Sequence, residues 1–321
     1  MFEVLLWKPF RTTIATISIA MAILSQPLAA QKPVAFDTVE TAQTDPDFMI
    51  QGEYAGSGFG LQAIAVGGDE FQCALYTGGL PGADWNGATP QRFEGDAALI
   101  LENVQRRGMK RVERSSPTMG AKPPTGATIL FDGTQALLEQ RWESGAKRTE
   151  DGLLIQGATT KDKFRDYTLH LEFRTPFQPK AAGQGRGNSG VYHQGRYETQ
   201  ILDSFGLAGK NNEAGGIYEV SDPDLNMCLP PLAWQTYDID FTAARFDASG
   251  KKTSDAKLTV RLNDIVVQRE ISVPKPTRAA PLKEEDSPGP LHLQDHGNPV
   301  RFRNIWVLPR NADSEALQPN T

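Results

Sequence analysis

The stretch KLTVRLNDIVVQR, residues 257–269, decides the fold class. Leu258, Val260 and Leu262 alternate with Lys257, Thr259 and Arg261, the period of a strand with one buried face. Asn263-Asp264 then separates this run from a second one, Ile265–Arg269, as the two-residue turn of a hairpin does. The same alternation recurs outward from this hairpin. Tyr237, Ile239 and Phe241 oppose Asp238 and Asp240; Leu169, Leu171 and Phe173 oppose His170, Glu172 and Arg174. In Val300–Leu308 the apolar face switches midway, which predicts a bulge. Leu61–Val66 and Phe71–Thr77 are shorter strand candidates between glycine-rich turns. No stretch after residue 30 carries a long helical period. Many short alternating strands with Gly/Pro turns predict an all-β protein, an antiparallel sandwich or jelly roll, with a small N-terminal β-subdomain before it.

Composition narrows the function. The chain has 321 residues and a formal net charge of −6, which argues against a nucleic-acid binder, whose affinity comes from a basic surface. Two cysteines make no disulfide framework and no zinc ribbon; Cys73 and Cys228 are candidates for one bond at most. Lys8 and Arg11 precede the apolar run Ile14–Leu24, and Gln26-Pro27-Leu28-Ala29-Ala30 follows, the order of a cleaved export signal. The run is too short for a membrane span. Residues 1–30 are thus expected to be a signal peptide, 31–48 a linker, 49–118 the small β-rich region, 119–310 the main domain and 311–321 a tail. The mature protein is expected in the periplasm or outside the cell, with no transmembrane segment.

Two segments concentrate polar residues on one strand face. GNSGVYHQGRYETQILD (187–203) places Glu198 and Gln200 together. LHLQDHGNPVRFRN (291–304) places His292, Gln294 and His296 together and holds two of the four histidines. Such Gln, His, Asn and Asp clusters supply donors and acceptors to sugar hydroxyls, and carboxylates with imidazoles move protons near neutral pH. A hydrogen-bonded polar face without chemistry is the plain alternative, and it is the stronger reading for His170 and His193. Trp142, Trp234 and Trp306 read as core residues.

These two segments, with KDKFRDYTLHLEFRT (161–175), resemble the 3-keto-disaccharide hydrolase domain family, also described as 3-keto-glucoside 1,2-lyase and 3-keto-2-hydroxy-glucal hydratase. The resemblance spans about residues 127–309 and implies a concanavalin-like β-jelly roll. Exported members often carry a cysteine in Asn-Glu-Cys-Gly-Gly; Ala214 stands there in this chain, so that local partner for Cys228 is missing. The implied chemistry is abstraction of the C2 proton of a 3-keto-glycoside, β-elimination of the C1 aglycone, and hydration of the resulting glucal. The substrate implies an upstream glucoside 3-oxidoreductase. On this resemblance Glu198 or His296 is the general base and Lys161 polarises the C3 carbonyl. Asn188, Arg196, Gln200, Asp203, Gln294 and Asp295 bind hydroxyls or orient the base. A divalent metal on Glu198, Asp203 and His296 is another way to stabilise the enolate.

Three other classes stay open from the residues. A lectin-like module would use exposed aromatics and amides without a proton-transfer group. A structural envelope protein would carry these strands only as surface. An ordinary glycosidase would need two carboxylates flanking a groove, with Glu172 and Glu198 as the pair.

Overall fold

The computed structural model describes residues 34–310. The expected signal peptide and the tail 311–321 lie outside the described residues. Two short helices open the described chain, α1 (Val39–Ala42) and α2 (Pro46–Ile50), capped by Thr38 and Asp45. They occupy much of the stretch expected as an irregular linker. Strands β1 (Gly52–Gly56), β2 (Phe59–Ala65), β3 (Phe71–Thr77) and β4 (Gln91–Gly95) follow, then helix α3 (Ala97–Arg106) and β5 (Lys110–Val112). They form an antiparallel sheet in the order β4-β3-β2-β1-β5. Helix α3 corrects the expectation of no helix. The Asp96 carboxylate accepts from the Leu99 N–H and caps its start. Only Ile100 and Asn103 are buried along its ten residues, so its apolar period is too thin to register in the sequence.

The chain continues through β6 (Thr128–Phe131), α4 (Gln135–Arg141), β7 (Leu154–Ile155), β8 (Ala158–Phe164) and β9 (Tyr167–Arg174). It continues with β10 (Ser189–His193), β11 (Tyr197–Ile201), β12 (Gln235–Thr242), the small ribbon β13 (Arg245–Phe246) and β14 (Lys252–Ser254), and β15 (Ala256–Leu262). It closes with β16 (Ile265–Val273), β17 (Gly289–Leu293) and β18 (Arg301–Pro309). One sheet has the order β16-β15-β12-β9-β18-β6, with β7 beside β18; the other has the order β11-β10-β17-β8. Leu169, Leu171, Ile239, Val260 and Phe302 of the larger sheet share one fully buried core with Val191, Ile201, Leu291 and Leu293 of the smaller. Each such side chain contributes about 1.5–3 kcal/mol by leaving water. The molecule is all-β and antiparallel, as the alternations require.

The deciding hairpin forms as read. Leu262 pairs with Ile265, and Asn263 and Asp264 take φ of 54° and 68°, the left-handed pair of a type I′ turn. The bulge in β18 falls between Arg303 and Trp306, at Asn304 with φ 46°. It lets both Phe302 and Ile305 reach the core, three positions apart. The two cysteines do not pair. Both are free and buried, each in a different core, and burial pushes both thiols up to about 12. No helix among the described residues is long and apolar enough to cross a membrane.

The second face of β9 differs from a solvated one. His170 and Glu172 are buried there because residues 115–122 lie across it. The Gly120 N–H donates to Glu172 Oε1 at 2.7 Å, the Thr118 hydroxyl donates to Asp238 at 2.7 Å, and the Trp306 indole donates to the Ala121 carbonyl. His170 sits 2.6 Å from Asp238 and stacks on Trp306. His193 is enclosed between Tyr167 and Thr199, stacked on Phe241, and burial lowers it to about 3. Both histidines are structural.

Candidate active site

The outer face of the four-stranded sheet carries a cleft of about 280 Å³, near the lower end of small-molecule sites. Antiparallel pairing builds it. Tyr192 of β10 lies opposite Glu198 of β11, and Gly190 lies opposite Gln200. An odd-even alternation therefore puts Tyr192, Glu198 and Gln200 on one face, with Val191, Thr199 and Ile201 turned to the core. Gly190 makes the room. A Cβ there would meet Glu198 Oε1 at 2.0 Å, so the carboxylate folds over bare backbone. Gln294 continues from β17, its N–H donating to the Gly190 carbonyl at 2.9 Å.

Glu198 is the electrostatic centre. It is 2% exposed, and burial raises its pKa to about 8, against the opposing hydrogen bond from Tyr192. The Tyr192 hydroxyl lies 2.8 Å from Glu198 Oε2 and 3.0 Å from the Arg278 carbonyl. Gln294 Nε2 donates to the same hydroxyl at 3.3 Å. Burial and the nearby Glu198 raise the Tyr192 pKa, so the phenol keeps its proton. A carboxyl held near neutral pKa beside a phenol that keeps its proton is the arrangement that proton transfer at carbon needs.

The remaining walls come from loops. Residues 274–288 form a strap that brings Arg278 and Ala279 to the cleft. Arg196, 1% exposed, pins that strap. Its guanidinium donates to the carbonyls of Lys283 and Ser287 at 2.7 and 2.8 Å. Tyr218 lines the cleft from the 203–234 connection, and its neighbour Glu219 pairs with Arg278 at 3.2 Å at the exposed mouth. His296 is an exposed lining residue on a loop held by Asn298, which accepts from the Asn188 N–H and donates to the Gly185 carbonyl.

Of the expected site residues, Asn188, Glu198, Gln200, Gln294 and His296 line this cleft. Four do not. Lys161 is an exposed residue of β8 whose Nζ donates to the Glu139 carbonyl. Asp203 is buried and bound by Arg186 at 2.7 Å. Asp295 accepts from the Gly297 N–H and closes a surface turn. Arg196 holds the strap from beneath rather than facing the cleft. The metal trio fails with Asp203: among the described residues no three His, Cys, Asp or Glu side chains group as metal ligands, so no step is routed through a metal. The glycosidase pair fails too, because Glu172 stands in the other sheet, bound by Arg303 at 2.6 Å.

Sequence reasoning missed Gln184, Tyr192, Tyr218 and Arg278. Tyr192 was within reach: a three-residue turn from His193 to Tyr197 puts it opposite Glu198. Tyr218 and Arg278 lie on long connections, where no periodicity marks them.

A family model and one solved structure agree with this architecture. The model of the 3-keto-alpha-glucoside-1,2-lyase-like domain matches residues 126–308, which include every residue lining the cleft. The crystal structure of a candidate glycosyl hydrolase from Parabacteroides distasonis is 33% identical, covering 58% of this chain and 85% of that one with a TM-score of 0.52. A second from the same organism is 18% identical over 58% of this chain and 94% of that one, with a TM-score of 0.41. No curated protein matches the chain.

Proposed function

The chain belongs to the 3-keto-alpha-glucoside-1,2-lyase-like domain family, and from that premise we propose that it is a carbohydrate-active enzyme cleaving 3-keto-glycosides by elimination. The observation that carries the reading is the Glu198–Tyr192 pair in a cleft whose other walls include amides, an imidazole, a guanidinium and the Tyr218 phenol. A ketone at C3 makes the C2 proton acidic, since its removal gives an enolate. The Glu198 carboxylate takes that proton. The electron pair passes to the C3 oxygen, then returns to form the C1–C2 double bond as the C1–O bond to the aglycone breaks. The departing oxygen takes a proton from His296 or from the newly protonated Glu198. Water added across the double bond, oxygen to C1 and proton to C2, completes a net hydrolysis.

Arg278 is the one lysine or arginine lining the cleft, and it takes the carbonyl-polarising role expected of Lys161. An upstream glucoside 3-oxidoreductase must supply the ketone. The amino-terminal signal would place this chemistry in the periplasm or outside the cell.

The test is incubation of the purified protein with 3-keto-trehalose and 3-keto-glucosides in deuterated water, followed by NMR. Glucose release with deuterium at C2, lost by at least about 10²-fold in Glu198→Gln and unaffected by chelator, supports the reading. Saturable sugar binding with no turnover of any keto-sugar sinks it in favour of the lectin-like class.

A further inference from the structure

The amide end of the cleft has a polarity that can be settled by counting hydrogens. Three side-chain amides meet there: Gln184, Asn188 and Gln200. Backbone groups, which cannot change role, orient each of them. Asn188 Nδ2 donates to the Gln184 carbonyl at 2.8 Å. Gln184 Nε2 donates to the Asn212 carbonyl at 2.7 Å. Gln200 Oε1 accepts from the Ile201 N–H at 3.0 Å. With those ends fixed, the amides bond to each other in only one sense. Asn188 Nδ2 also donates to Gln184 Oε1 at 3.1 Å, and Gln200 Nε2 donates to the same oxygen at 2.9 Å.

Asn188 is thereby left with both N–H groups committed and its Oδ1 unpartnered and buried. The residue is 2% exposed and lines the cleft. A buried acceptor without a partner costs free energy that a ligand donor would return. Flipping the amide does not help, because it would set Oδ1 against the Gln184 carbonyl. Asn188 immediately precedes β10 and stands two residues from Gly190, over whose bare backbone the Glu198 carboxylate folds, about 7 Å of extended chain. A ring with C2 at Glu198 therefore meets Asn188 at its far edge.

We propose that Asn188 Oδ1 is a subsite that accepts a hydrogen from a free hydroxyl, at C4 or C6, of the sugar whose C2 faces Glu198. This rests on the sugar reading of the cleft and adds its selectivity. A hydroxyl donates to Asn188. A ketone, carboxylate, fluorine or methoxy group at the same place offers only lone pairs and leaves Oδ1 unsatisfied. The oxidised carbon consequently faces the Arg278 and His296 end.

The experiment is calorimetry of the wild-type protein with methyl α-D-glucopyranoside and its deoxy, deoxyfluoro and O-methyl derivatives at C2, C4 and C6. None carries the ketone, so binding is read without turnover. At C4 or C6 all three changes should weaken binding about tenfold or more, equivalent to ~1.4 kcal/mol. In Asn188→Ala that difference should shrink below about twofold. The fluoro series needs no variant, so it decides even if Asn188→Ala fails to fold. A fluoro sugar that binds as tightly as the hydroxyl parent at both positions overturns the subsite, and so does a loss confined to C2. Turnover of 3-keto-glucosides with a flat series removes this subsite alone. A hydroxyl pattern at C4 or C6 without keto-sugar turnover keeps the subsite and removes the elimination chemistry. No binding of any sugar removes both.

Discussion

Around Glu198 three oxygens hold one hydrogen when the carboxylate is ionised and two when it is protonated. When the carboxylate is ionised, Tyr192 donates to it. When it is protonated, it donates to Tyr192, whose own hydrogen turns to the Arg278 carbonyl. Tyr192 partners Oε2 in either state, and burial sets the raised pKa of about 8. As a base, Glu198 works only once deprotonated, so kcat/KM should rise with pH and level off above about 8. A falling limb at that pH would assign it as the acid instead. Tyr192 holds the Glu198 pKa down, so Tyr192→Phe should move the limb to higher pH and lower the rate at pH 7 about tenfold. Stability runs the other way. The folded state holds this proton more tightly than the unfolded chain, so Glu198 costs stability progressively as pH rises from the ordinary carboxylate range to about 8. Glu198→Gln should accordingly raise the melting temperature more at pH 9 than at pH 5.

The hairpin of β10 and β11 places the site with little tolerance. Its register sets Gly190 under the Glu198 carboxylate, and no other residue type leaves that space. Gly190→Ala adds one methyl at 2.0 Å from Oε1, and the carboxylate must move. Because Gly190 has an ordinary strand φ, alanine fits the backbone and the sheet survives. The expected result is a fall of about 10²-fold in kcat with a loss of no more than about 1 kcal/mol in stability. A normal kcat in a folded Gly190→Ala protein would show that Glu198 does not act where the structure holds it. The 274–288 strap obeys a different constraint. It has no sheet partner, so buried Arg196 replaces the missing ladder with its fork of donors.

Over the whole molecule, the N-terminal sheet braces the loops behind the cleft. Arg186 reaches from beside Asp203 to the Ala65 carbonyl at 2.9 Å, and Arg92 donates to the Gly206 carbonyl. Ile64 fills the space over Gly206, which has a positive φ and no Cβ to clash. These contacts hold the segment that ends in Asn212, the acceptor for Gln184. The strap 115–122 joins the two parts through Glu172. Burial opposes ionisation of Glu172, but His170 at 3.9 Å and hydrogen bonds from Asn304, Arg303 and Gly120 outweigh it and lower its pKa to about 2. Its contribution is therefore present above the ordinary carboxylate range and fades as pH falls toward 2. Glu172→Gln should cost about 2–4 kcal/mol at pH 7, less at pH 3, and leave kcat within about twofold. Loss of activity in a folded Glu172→Gln protein would revive the two-carboxylate glycosidase reading.

By itself the sequence determined strands β2, β3, β9, β12, β15, β16 and β18, the Asn263-Asp264 turn, the bulge in β18 and the candidacy of Asn188, Glu198, Gln200, Gln294 and His296. Each of these is local: a period of two, a turn that demands positive φ, a run of polar side chains on one face. Helix α3 escaped because its buried stripe is short. The fates of Lys161, Asp203, Asp295 and Arg196 were decided only by tertiary structure. A charged side chain takes its role from its partner, and Glu139, Arg186, Gly297 and the 274–288 strap all come from folding rather than from the motif. Tyr218 and Arg278 reach the cleft for the same reason. Long connections carry no period, and only the packed sheet beneath tells them where to lie.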